Sequence, residues 1–164
     1  MDFSFTEEQE MLRDSVAKLM ARHAPPEAVR KWEKERKFPE ELYQAWVEAG
    51  LLRLPFPTEL GGLGGSALDL AIVVYEISRI STDLCMAFSG SVFCGLNILR
   101  KGSDAQRNFW LPRLLEGRIK FSIGISEPDA GSDVGNIRSF AERRGDSYIV
   151  NGQKLWTTGA ALQN

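Results

Sequence analysis

The sequence predicts an α+β fold: an all-α N-terminal domain over residues 1–118 followed by an incomplete β domain over residues 119–164. Three observations carry this expectation. Apolar residues recur at three- and four-residue steps up to about Arg118, the pattern turns to strict alternation at Ile119, and turn residues then separate short β-branched and aromatic runs.

The first helix is expected to start at Thr6, which with Gln9 makes a capping box, and Leu12, Val16, Leu19 and Met20 supply its apolar face as far as His23. Pro25-Pro26 stops it. A second start is read at Phe38-Pro39-Glu40-Glu41, with Pro39 at the first helical position, Leu42, Trp46 and Ala49 as the buried stripe, and Gly50 as the stop. Ser66, with Asp69 three residues on, opens a third helix in which Leu68, Ala71, Ile72, Tyr75 and Ile80 leave little polar surface, so it is expected to be central. Leu84 to Leu99 is another apolar stretch. Ser103 opens a last helix containing Phe109, Trp110, Leu114 and Leu115, with a kink expected at Pro112 and an end at Gly117.

Beyond Ile119 the period is two. Ile119 to Ser126 and Ser147 to Val150 alternate, Ile137 to Ala141 reads as strand, and Arg144-Gly145-Asp146 and Asn151-Gly152 supply hairpin turn chemistry. Three or four strands in so short a stretch cannot close a sheet, and the sequence stops at Ala160-Ala161-Leu162-Gln163-Asn164 without a capping element. The chain is therefore expected to be a piece of something longer.

Composition narrows the function classes. Hydrophobic residues make up 43%, charged residues 26%, and the net charge is −2 with no block of one sign, which argues against a nucleic-acid partner. No run reaches the ~18 uninterrupted apolar residues of a membrane span, and the acidic start Met1-Asp2-Phe3 lacks the form of a signal peptide. Cys85 and Cys94 lack CxxC spacing, which favours buried reduced thiols and a cytoplasmic location over a disulfide or metal site. The single His23 is read as a helix-terminus residue.

Gly62-Leu63-Gly64-Gly65-Ser66-Ala67 fits the G-x-G-x-x-G/A dinucleotide pattern, but Leu54-Pro55-Phe56-Pro57 enters it, and two prolines spoil the buried strand that pattern needs. A Gly-rich connector is the expectation. Ile125-Ser126-Glu127-Pro128-Asp129-Ala130-Gly131-Ser132-Asp133 is different, because it follows an expected strand and can converge backbone N–H groups with the Ser126 and Ser132 hydroxyls on one concave site. The same residues also suit a turn that serves only its own backbone. In Asn151 to Gly159, Trp156 offers a flat apolar surface and Thr158, two residues on, a hydroxyl on the same strand face.

Together, "ISEPDAGSD" and "YIVNGQKLWTTGA" resemble the acyl-CoA dehydrogenase family, whose patterns are close to T-E-P-x-A-G-S-D and N-G-x-K-x-[WF]-I-T-[NS]-[GA]. "FTEEQEMLRDSV", "EAGLLRLPFPTELGGLGG" and "GSDAQRNFWLPRLLEGRIKFSIGISEP" extend the resemblance over the whole chain. It implies the N-terminal helical domain plus the first strands of a β-barrel-like middle domain.

The resemblance also implies a flavin-dependent oxidoreductase of fatty acid metabolism with FAD as cofactor. A glutamate takes the α proton of an acyl-CoA while the β hydrogen leaves as hydride. Ile123, Gly124, Ile125, Ser126, Gly131 and Ser132 would run along the flavin, with Ser126 where the family has Thr and Ser132 also near the substrate. Trp156 would pack on the ring system, Thr158 would donate toward the flavin, and Thr157 stands where Ile is usual. Glu127 is read as structural, and Phe88, Val92, Phe93 and Leu96 as core in a region that borders the acyl chain in the family. The catalytic base is expected beyond residue 164, so the chain alone is expected to be inactive. Electron-transfer flavoprotein as acceptor and a homodimer or homotetramer complete the implied picture. An acyl-CoA oxidase or flavin monooxygenase shares these motifs, and a non-catalytic helical interaction module is the alternative if the gene ends at Asn164.

Overall fold

The structure, a computed structural model, describes residues 4–160; the acidic start Met1-Asp2-Phe3 and the expected uncapped end at Ala161 to Asn164 lie outside the described residues. The chain forms two compact units, Met1–Phe121 and Ser122–Asn164.

Among the described residues the first unit holds six α-helices: α1 (Glu7–His23), α2 (Pro26–Glu35), α3 (Glu40–Glu48), α4 (Ala67–Ser78), α5 (Thr82–Lys101) and α6 (Asp104–Leu115). Three begin with a reciprocal capping box, Thr6 with Gln9, Ser66 with Asp69 and Ser103 with Gln106. Each box satisfies two N–H groups that the helix start leaves without partners. Pro25-Pro26 ends α1 as expected, but Pro26 also opens α2, which the periodicity does not reveal. At N1 a missing N–H costs nothing, and Val29 and Trp32 give this charged segment just enough apolar surface to reach the core. Pro39 sits at the N-cap of α3, one residue before the expected position.

The core is built from Val16 and Met20 of α1, Leu42 and Trp46 of α3, Val73 and Ile77 of α4, Phe88 and Val92 of α5, and Leu111 and Leu114 of α6, all at most 1% exposed. Trp46 lies edge-on to Phe88 with ring centroids 5.5 Å apart and an interplanar angle of 76°. That geometry sets a positive ring edge against a negative face. Helix α5 is long and apolar enough by length and composition to cross a membrane, but polar residues interrupt its apolar run and its Leu84, Phe88 and Val92 belong to this core. Helix α4 is less central than expected: Leu70, Ile72, Val73 and Ile77 are buried, while Leu68 and Tyr75 are 49% and 62% exposed, as is Ile80 just past its end at 44%. Cys85 and Cys94 are buried free thiols. After α6 the Phe121 N–H donates to Ser91 Oγ at 2.9 Å, pinning the end of the unit to α5.

Among the described residues the second unit contains one antiparallel hairpin, β1 (Phe140–Arg144) and β2 (Ser147–Asn151), in register from Phe140 opposite Asn151 to Arg144 opposite Ser147. Gly145-Asp146 is its two-residue loop, with positive φ at Gly145. Ile119 to Ser126 and the residues after Gly152 are not strands, which corrects the count of three or four. A ladder needs a neighbouring strand, and neither segment has one among the described residues. Asn151-Gly152 ends β2 without starting a second hairpin. All ten strand residues are exposed, so the hairpin covers no core of its own.

Replacing Phe88 by Ala is expected to lower the stability of the helical unit by about 3–5 kcal/mol, read from the urea midpoint at unchanged slope. The exposed Met86→Ala on the same helix is the control, with an expected change within about 0.5 kcal/mol.

Candidate functional site

Residues 126–139 fold around one carboxylate. Glu127 is only 8% exposed, and its oxygens accept the Arg138 N–H at 2.7 Å, the Ser139 N–H at 3.0 and 3.3 Å, and Lys154 Nζ at 2.7 Å. Its own backbone closes a tight turn over Pro128-Asp129, with Glu127 N–H donating to Ala130 O at 2.8 Å and Ala130 N–H returning to Glu127 O at 3.2 Å. Outside this turn, Arg138 Nη1 bonds Asp129 Oδ2 at 3.0 Å and Asn136 Nδ2 donates to Asp129 O at 3.1 Å. These bonds explain why β1 begins at Phe140 instead of Ile137: the Arg138 and Ser139 amides are committed to a carboxylate, not to a strand neighbour.

The Lys154 ammonium foremost, with the donors of Ser139 and Arg138, holds the Glu127 carboxyl at about 2, well below its ordinary 4.5. A carboxylate so committed is a scaffold and a poor base, which agrees with its reading as structural.

The same hub joins the two segments that the sequence singles out. Lys154 Nζ also donates to Ile125 O at 3.0 Å, and Leu155 N–H donates to Ser126 O at 2.8 Å. At Gly124 a β-carbon would lie 3.2 Å from both Lys154 Cγ and Thr157 Oγ1, so the absence of a side chain there lets the strap at 123–127 approach the segment at 154–157. Ile123 and Ile125 are exposed, while Ser126 and Thr157 are half-buried.

Trp156 is 86% exposed and has φ 57°, in the left-handed region that bulky residues rarely occupy. Thr158 N–H donates to Trp156 O at 2.9 Å. The chain therefore turns at 156–158, and the expectation that Trp156 and Thr158 share a strand face is overturned. Gly131 and Ser132 are exposed beyond the Glu127–Ala130 turn, and no atom lies within 4 Å of where a Gly131 β-carbon would be. Among the described residues, no acceptor takes the N–H of Gly131, Ser132 or Trp156, and the hydroxyls of Ser126, Ser132 and Thr158 are unbonded. The unit thus presents uncommitted donors and an open indole.

In the helical unit the Gly-rich connector is spent internally. The N–H groups of Gly62, Leu63, Gly64 and Gly65 donate to the carbonyls of Pro57, Arg53, Phe56 and Leu54 at 2.7–3.0 Å. None is left to cradle a phosphate, as the entering prolines imply. Phe88 and Val92 are core, as read from the sequence, whereas Phe93 and Leu96 line an apolar groove of about 700 Å³ with Leu70, Val74 and Asn97.

Comparison with known proteins assigns the chain. The family models for the acyl-CoA dehydrogenase N-terminal domain and middle domain match residues 6–118 and 122–164. The chain belongs to the acyl-CoA dehydrogenase family. It is 36% identical over 156 residues to the mitochondrial isovaleryl-CoA dehydrogenase of Bos taurus, a match covering 93% of this chain and 36% of that protein. A glutaryl-coenzyme A dehydrogenase solved with glutaryl-CoA superposes with a TM-score of 0.91 at 35% identity, over 99% of this chain and 42% of the other. A glutaryl-CoA dehydrogenase of Mycobacterium smegmatis in complex with FADH2 gives 0.88 at 26% identity, over 97% and 41%. The chain thus spans about two-fifths of the length of these relatives.

Lys154 is given no role by the sequence reading. Its signal was available: it fills the fixed Lys of the N-G-x-K-x-[WF] pattern and is the only charged side chain in residues 147–164, two positions before Trp156.

Because the folded-state value for Glu127 lies below the ordinary one, its stabilisation is complete above about pH 4.5 and is lost as pH falls toward 2. Hydrogen exchange at the Arg138 and Ser139 amides is expected to lose protection across that window in the wild type. Glu127→Gln is expected to remove the pH dependence, and equal profiles for the two proteins would contradict the assignment.

Proposed function

We propose that this chain is the N-terminal helical domain, residues 1–118, and the flavin-binding start of the middle domain, residues 119–164, of an enzyme that dehydrogenates an acyl-CoA thioester between its α and β carbons. The observation that carries this is the exposed, left-handed Trp156 held beside a strap whose amide and hydroxyl donors are uncommitted. A reducible planar ring calls for that set: a flat apolar contact plus donors directed at positions that become electron-rich. The family relatives described with glutaryl-CoA and with FADH2 support the same substrate class and cofactor.

FAD, when bound, supplies the acceptor for the hydride that leaves the β carbon. The residues of this chain that would hold it are Ile123 to Ser126, Gly131, Ser132 and Trp156 to Thr158. The Ser126 hydroxyl would donate toward the pyrimidine edge, as the family's Thr would, the Gly131 amide would add a donor where no β-carbon blocks approach, and the Ser132 amide another beside it. Ser132 also faces the substrate's CoA portion. Trp156 packs on the ring system and excludes water, and the Thr158 hydroxyl donates to the reacting side of the ring.

Glu127 does not serve as the base, since its oxygens are occupied by Lys154, Arg138 and Ser139. The carboxylate that takes the α proton belongs to chain beyond Asn164, so residues 1–164 alone are inactive. Electron-transfer flavoprotein as acceptor, a homo-oligomeric state and a cytoplasmic location belong to the same proposal.

Protein expressed from its native reading frame is expected to purify yellow, and at least one acyl-CoA should bleach its visible flavin absorbance under anaerobic conditions. Trp156→Ala should weaken FAD binding about tenfold or more. A colourless protein that takes up no FAD contradicts the proposal, as does turnover by residues 1–164 alone with an artificial electron acceptor.

A further inference from the structure

Trp156 is held in an unfavourable conformation by something other than its own packing. A left-handed backbone at a bulky residue costs on the order of 1–3 kcal/mol and persists only where the surroundings over-determine it. With the side chain 86% exposed, contacts of the indole cannot supply that restraint. The two preceding residues can, because both are tied to the strap: Lys154 Nζ to Ile125 O at 3.0 Å and Glu127 Oε1 at 2.7 Å, and Leu155 N–H to Ser126 O at 2.8 Å.

The Lys154–Glu127 pair differs from the ordinary surface pairs of this chain. Its side chains are 30% and 6% exposed, whereas Arg138–Asp129 shows 72% and 63%. Shielded, charge-assisted bonds are about twice as strong as neutral ones and lose little to salt. The lysine stem packs against Gly124, with Cγ 3.2 Å from where a β-carbon would be. Stem and ammonium therefore act on the same strap from adjacent points.

The geometry points to Lys154 as a positioning residue of the flavin site: its ammonium ties the strap at 123–127 to the segment at 154–158 and so fixes the strained backbone from which the Trp156 indole meets the ring. The inference rests on the flavin reading above. Lys154 is not a catalytic residue, since its ammonium is held by Ile125 O and Glu127 Oε1.

The test uses protein from the native reading frame and three variants. Lys154→Met keeps the stem and removes the ammonium, Lys154→Arg keeps the charge, and the double variant E127Q/K154M removes both charges so that no buried carboxylate is left unpaired. Amide exchange in β1 and β2 reports the fold, and exchange at the Leu155 amide without FAD reports the tie itself. FAD affinity and the visible spectrum of bound FAD report positioning.

Lys154→Met and the double variant are expected to keep hairpin protection, lose Leu155 protection, bind FAD about tenfold more weakly and shift the bound-flavin spectrum. Lys154→Arg should restore most of the affinity and the wild-type spectrum. If Lys154→Met loses the hairpin, the double variant decides on the same criteria. Wild-type affinity and spectrum in a folded variant without the ammonium overturn the inference, as does unchanged Leu155 protection in the apoprotein. A wild type that binds no FAD overturns the flavin reading instead, and is recognised because Leu155 exchange still separates Lys154→Met from wild type.

Discussion

One buried carboxylate organises the second unit. Glu127 gathers the Arg138 and Ser139 amides and the Lys154 ammonium, and through them joins the strap, the start of the hairpin and the Trp156 segment. The unit has little else to hold it, since both faces of its hairpin are open and its large apolar side chains Val134, Phe140, Tyr148 and Trp156 are more than half exposed. Where apolar burial is scarce, a polar hub whose carboxylate is fully bonded sets the local geometry, and removing one member strands the others. The helical unit follows the opposite logic, with Trp46, Phe56 and Phe88 completely buried and only a few polar side chains, Glu76, Ser89 and Ser91, inside it.

That difference decides what was legible in the sequence. Helix starts at Thr6 and Ser66 are readable because a capping box is a local device whose two partners lie three residues apart, and Ser103 is readable as a start from its own residue type. Helix α2 was hidden because only Val29 and Trp32 of its ten residues face the core, too few to mark a period. The exposure of Tyr75 was equally hidden, since an apolar helix does not reveal which of its faces finds a partner. Strands are non-local, so the alternation over Ile119 to Ser126 did not suffice: extended residues become strand only when another edge takes their amides.

The candidate site divides in the same way. Positions 123–132 and 156–158 are singled out only as a pair, through their resemblance to the family's patterns, since each stretch alone also suits an ordinary turn or strand; the structure brings 123–127 beside 154–157. Lys154 was passed over because a lone lysine normally marks a solvated surface, and its partners lie 27 and 29 positions away in sequence. The left-handed turn at Trp156 was also invisible, since nothing in Leu155-Trp156-Thr157 favours positive φ. The backbone takes it because the flanking bonds impose it. The Gly62 to Ala67 motif shows the reverse case: a literal pattern match with its amides already spent on the carbonyls of residues 53–57.

The most direct test of the flavin-facing role of Trp156 is a fluorine NMR titration of protein labelled with 5-fluorotryptophan. The chain has four tryptophans, Trp32, Trp46, Trp110 and Trp156, and Trp156→Phe assigns the last resonance by its disappearance. FAD is expected to shift and broaden the Trp156 resonance while that of the core residue Trp46 stays in place. Saturating FAD that leaves the Trp156 signal unmoved would contradict the assignment of this segment to the flavin.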